Sequence, residues 1–133
     1  MTQLHEILLI GEDFEPGSVA NTEIDTLLGF DAVMCGDFAI RTEDGYTPCP
    51  DYCGNSELSI KELNQLHITP IILPAAHESS KRSSKRARER AEDLADLYVA
   101  VFTIGDDMYA TKPFQSEEQV YACVLWYVLA YYS

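Results

Sequence analysis

Positive charge is what this sequence has least of. Nine lysines and arginines stand against 22 acids, a formal net charge of −13 and a sequence pI of about 4.4. Six of the nine crowd into one patch, Lys81, Arg82, Lys85, Arg86, Arg88 and Arg90, so the remainder is nearly all acidic. Such a balance argues against nonspecific binding to nucleic acid or an anionic membrane and leaves a cationic partner open. A long apolar run is missing too. The last one, Val120 to Tyr132, is thirteen residues, short of the roughly 20 needed to cross a bilayer. The opening "MTQLHEILLIGEDF" lacks the basic flank and cleavage site of a secretory signal. Both absences lead to the expectation of a soluble cytoplasmic protein.

Cysteine is sparse and scattered: Cys35, Cys49, Cys53 and Cys123 form no disulfide framework and read as free thiols. Cys49 and Cys53, taken with Cys35 and His67 or His77, have nonstandard spacing for zinc. The three histidines build no nucleophilic triad or Cys-His pair, and no nucleotide-hydrolase phosphate loop or internal repeat occurs. The basic patch reads as a solvated helix end, with Glu89, Glu92 and Asp93 as helical-spacing partners.

What remains suits one domain over residues 1–133 with one core. "HEILLI" (5–10) and "FDAVMC" (30–35) read as strands, with a helix over Val19–Leu28 that Ser18 caps and Gly29 stops. Residues 36–55 show little periodicity. Leu58, Leu63 and Leu66 allow a helix capped by Ser56, and "ITPIIL" (68–73) is a buried strand. Ser79–Leu97 reads as helix, "LYVAVFTI" (97–104) as strand, Gly105-Asp106-Asp107 as a tight turn, and "MYATKP" as a second strand. Ser116, with Glu117 and Glu118 behind it, opens a last helix through Tyr132.

Alternating strands and helices, with strands apolar on both faces, predict a flavodoxin-like α/β three-layer sandwich around a mostly parallel sheet, with an extra hairpin strand near the C-terminus. In such a sheet the carboxyl ends of the strands share a rim. That rim would gather Glu12 and Asp13, then Asp37, then Pro74 to His77, then Asp106 and Asp107 with Lys112 beyond. Carboxylates so grouped suit Mg²⁺. The last helix is apolar all round, so its outer face should be covered. Trp126, Tyr127, Tyr131 and Tyr132 make it a candidate homodimer surface.

The segment "GDDMYATKPFQSEE" resembles the part of response-regulator receiver domains where an acidic turn leads to an aromatic, then Thr-Lys-Pro-Phe, then an acidic helix start. "TPIILPAA" and "EILLIGEDFEP" resemble that family's fourth strand and its first strand with the acidic pair, in the family's order. The resemblance implies Glu12 and Asp13 as Mg²⁺-binding acids and Lys112 as the lysine of a phosphoryl pocket. Asp51 would be the phosphoacceptor, or Asp37 under another reading of the second and third elements. The hydroxyl-bearing position falls at Ala75 or Ala76, so the resemblance is to a degenerate, pseudo-receiver member. It implies a regulatory module acting through a protein partner. "ADLYVAVF" followed by an acid-capped helix is also similar to nucleoside deoxyribosyltransferase-like proteins, which would make Glu117 or Glu118 a nucleophile with "CGDFAIR" near the base or phosphate. A third reading, from charge alone, is an acidic inhibitor or immunity-type protein, phage or mobile-element encoded, that blocks a cationic site.

Overall fold

The computed structural model describes residues 7–42, 45–75 and 97–133. The helix expected over Ser79–Leu97 lies outside the described residues except for Leu97, which is not helical, and the basic patch, Ala76 and His77 lie outside them too. In chain order the elements are β1 (Ile7–Ile10), α1 (Ser18–Leu27), β2 (Ala32–Cys35), β3 (Phe38–Arg41), β4 (Thr47–Pro48) and α2 (Ser56–Gln65). There follow β5 (Ile71–Pro74), β6 (Tyr98–Ile104), β7 (Asp107–Thr111) and α3 (Glu117–Tyr132).

The strands form two sheets. One has the order β1-β7-β6-β5, the other β2-β3-β4. In the first, only β1 and β7 run parallel; β5–β6 and β6–β7 are antiparallel, and the second sheet is antiparallel throughout. The expected mostly parallel, flavodoxin-like sandwich is therefore not what forms. Two hairpins account for the difference. Gly105 and Asp106 join β6 to β7, with Ile104 opposite Asp107. Gly105 at φ 62° takes the first central position of a tight hairpin turn, where positive φ is required. Gly36 and Asp37 likewise fold β2 onto β3, which keeps "FDAVMC" out of the main sheet. The second hairpin strand near the C-terminus is no appendage: β7 lies inside the sheet, between β1 and β6.

α3 is the pivot of the core. It packs on β6 and β7 on one side and on α1 and α2 on the other. Val120, Ala122, Cys123, Val124, Leu125 and Val128 are all fully enclosed. A helix sandwiched in this way needs no polar stripe, which is why its sequence has none. Phe102, Tyr109 and Tyr127 cluster where it meets the sheet, with ring centroids 5.2 to 6.2 Å apart. Ser116 caps α3 by accepting from the Gln119 amide, whereas α2 is capped by Asn55 rather than Ser56, and α1 begins after Gly17 with Ser18 already helical.

The main sheet has two unlike faces. Ile10, Thr111, Tyr109, Ala100, Phe102 and Ile104 point at the helices and are buried. The alternate residues form the outer face. Leu9, Ala110, Val101 and Ile71 stand in one row across all four strands, flanked by Ile7, Met108 and Thr103 on one side and Val99 and Leu73 on the other. None of these residues is charged. Ile71 is 62% exposed and Leu9 76%.

Candidate functional site

Strand direction decides which of the expected rim residues meet. β1, β5 and β7 point the same way and β6 the opposite way. Glu12 and Lys112 thus leave parallel neighbours at the same end, and the Lys112 ammonium donates to the Glu12 carbonyl at 3.2 Å. Asp106, in the β6–β7 turn, and Asp107, the first residue of β7, sit at the far end. Asp37 occupies the β2–β3 turn of the other sheet. The single rim expected of four strands is thus reduced to Glu12, Asp13 and Lys112, joined by Pro74 and Ala75.

Asp51 is engaged elsewhere. Its Oδ1 accepts from the Asn21 side chain at 3.0 Å and from the Gly54 amide at 3.1 Å. Three open clefts share the loop Glu15–Ser18. One, about 410 Å³, runs from Glu15 and Pro16 to Lys112, Phe114 and Gln119. A second, about 310 Å³, includes Asp37 and Met34, and a third, about 410 Å³, includes Asn21, Cys49 and Asp51. Lys112, Asp37 and Asp51 therefore border different clefts. Among the described residues no group of three or more histidines, cysteines or acids is arranged to hold a metal ion.

The best-organised polar cluster is one that sequence reasoning passed over. Asp25, fully buried on α1, receives two hydrogen bonds from Arg41, Nε at 2.7 Å and Nη2 at 2.6 Å. The Tyr52 hydroxyl donates a third at 2.7 Å, and the Arg41 guanidinium lies 3.7 Å over the Phe30 ring. One turn earlier, Asn21 accepts from the Cys53 amide at 3.0 Å while donating to Asp51. The signal was present in "SVANTEIDTL". Asn21 and Asp25 are four apart and fall next to Ala20 and Ile24, on a helix side that is buried. Its partners came from residues 36–55, where no periodicity pointed to them.

Electrostatics make this cluster a clamp. Burial by itself would raise the Asp25 carboxyl, but hydrogen bonds from Arg41 and Tyr52 and the guanidinium charge bring it below its ordinary value. The hydrogen bond to Asp25 raises Arg41 further, and burial, then Asp25, raises Tyr52. Burial pushes the Cys49 and Cys123 thiols up to about 12 and raises Cys53 as well. Thiols held protonated are poor nucleophiles. The cluster joins α1, β3 and the segment after β4; its charged atoms are already partnered.

The aromatic residues proposed for an interface divide. Trp126 packs on Phe14 at 5.3 Å and its indole N–H donates to Glu23 at 3.1 Å. Tyr127 stands against Tyr109. Only Tyr131 and Tyr132, at the end of α3, are exposed. Glu117 and Glu118 lie in the first turn of α3. No helix among the described residues is long and apolar enough to cross a membrane. Compared with protein-family models, curated proteins and solved structures, the chain gave no match.

Proposed function

We propose that this protein is an acidic binding module that engages a cationic protein partner through the outer face of the β1-β7-β6-β5 sheet. The observation that supports the reading is that face itself, a run of uncharged residues across all four strands, with the helices among the described residues packed on the reverse. Even on a monomer, the main exposed apolar patch is often the functional one. A net charge of −13 selects against anionic partners and speeds encounter with basic ones. An inhibitor that occludes a basic site is one form this activity can take. The reading retains the partner interface that the receiver resemblance implied and drops the phosphoryl pocket, whose residues border separate clefts.

The test uses Ile71→Lys, which places a charge at the β5 end of the row, at an exposed position. A partner captured from the cells that encode the protein is purified and titrated against wild type and variant. The expected result is at least about tenfold weaker binding, equal to 1.4 kcal/mol, with unchanged thermal stability. Salt should weaken the wild-type complex. Equal affinity of the two proteins overturns the reading.

A further inference from the structure

Among the described residues β1 and β5 are the edges of the main sheet, and the two are unlike. Backbone groups alternate along a strand, pointing first to one neighbour and then to the other side. On β5, Ala75 donates to the Leu97 carbonyl, so Ala75, Leu73 and Ile71 face β6. The outward positions are then Pro70, Ile72 and Pro74, of which two have no N–H. On β1, the Ile10 carbonyl accepts from the Lys112 amide, so Ile10 and Leu8 face β7. The outward positions are Ile7 and Leu9, both with intact donors and acceptors. Natural sheets blunt exposed edges with proline, charge or cover. β5 is blunted in this way; among the described residues, β1 is not.

The β1 edge is also apolar on both sides of the sheet. Ile7 is 49% exposed, Leu8 43% and Leu9 76%. Its two ends are acidic. Glu12 and Asp13 follow it, and Asp107, the exposed first residue of β7, neighbours its start, since Ile7 is opposite Met108. Lys112 offsets part of this charge at one end only.

We propose that β1 accepts an extended segment of the partner as an added strand, apolar in its middle and carrying lysine or arginine at both ends. Strand addition supplies main-chain hydrogen bonds that a small apolar face lacks. Four strands about 4.8 Å apart and four residues long present on the order of 250 Å² in projection. A standard interface takes roughly 800 Å² per partner. That area is too little to hold a second copy against the charge of −13 on each, whereas a basic strand gains from the same charge. The inference rests on the partner-binding reading for the kind of partner, and on β1 alone for the mode of docking.

The probe is a fluorescein-labelled peptide of alternating valine and threonine closed by a pair of lysines at each end. Its charge-matched control has proline at the central position. Fluorescence anisotropy should show wild type preferring the strand peptide by about tenfold. Leu9→Pro removes only the outward N–H, a change edge strands tolerate, and should abolish the preference; Leu9→Ala should keep it. Amide exchange on wild type gives a second reading that needs no variant: Ile7 and Leu9 should become protected when the strand peptide binds. No preference in wild type, a preference surviving in Leu9→Pro, or protection confined to other elements overturns strand addition. These outcomes leave the Ile71→Lys test of the outer face untouched. A wild type already dimeric at neutral pH and low salt, made monomeric by Leu9→Pro, would assign the edge to a second copy and overturn the choice of partner.

Discussion

Asp25 accepts three hydrogen bonds while fully enclosed, and the arrangement sets what its partners are worth. Arg41→Gln removes the cation and the bidentate grip together, leaving a buried carboxylate with Tyr52 and the Cys49 thiol but no counter-charge. Breaking a buried pair in this way costs about 3 kcal/mol, to be measured by urea denaturation at neutral pH. The pH dependence has a definite sign. Because the Asp25 carboxyl is lowered in the folded protein, its contribution is complete above its unfolded value of about 3.9 and is lost as pH falls through the lower folded value. The stability gap between wild type and Arg41→Gln should therefore be full at neutral pH and close below about pH 4. A gap that widens on acidification would contradict this account. The clamp was half legible in advance: α1 displayed its polar pair at helical spacing, but Arg41 and Tyr52 lay in the stretch whose pattern was too short to read.

At the level of elements, the seam between β1 and α3 depends on Gly11. Its φ of 90° is one that residues with a side chain rarely adopt, and a Cβ placed there would stand 2.7 Å from the Cys123 sulfur. Gly11→Ala should cost about 2 kcal/mol from strain and overpacking together. Adding Cys123→Ala should recover the overpacking part and leave the conformational part. Denaturant midpoints of the two single variants and the double variant separate the terms; strict additivity would show that the sulfur does not matter. Position and direction were unequally visible in the sequence. Within the apolar runs expected at 5–10, 68–73 and 97–104, Ile7–Ile10, Ile71–Leu73 and Tyr98–Ile104 form strands, as does Asp107–Thr111 after the Gly105 turn. Their directions were misjudged because strands apolar on both faces imply burial on both faces in a parallel sheet. Here no helix among the described residues covers the second face, so the same apolar pattern occurs without a second helix layer there. The Lys112–Glu12 contact survives the correction because β1 and β7 are the one parallel pair.

At the scale of the whole molecule, charge has to hold apart copies whose surfaces would otherwise adhere. The uncharged outer face and the unblunted β1 edge are complementary to themselves, and the net charge of −13 at neutral pH opposes that contact. The opposition is titratable. As pH falls toward the pI of about 4.4, the carboxylates take up protons and repulsion fades, while the apolar surface stays the same. Sedimentation velocity at low salt should find a monomer at neutral pH and growing association as the pI is approached. Ile71→Lys and Leu9→Pro should each reduce it, the first by charging the face and the second by removing an edge donor. Association that appears equally in wild type and both variants would place the adhesive surface elsewhere, with the exposed Tyr131 and Tyr132 at the end of α3 as the next surface to test.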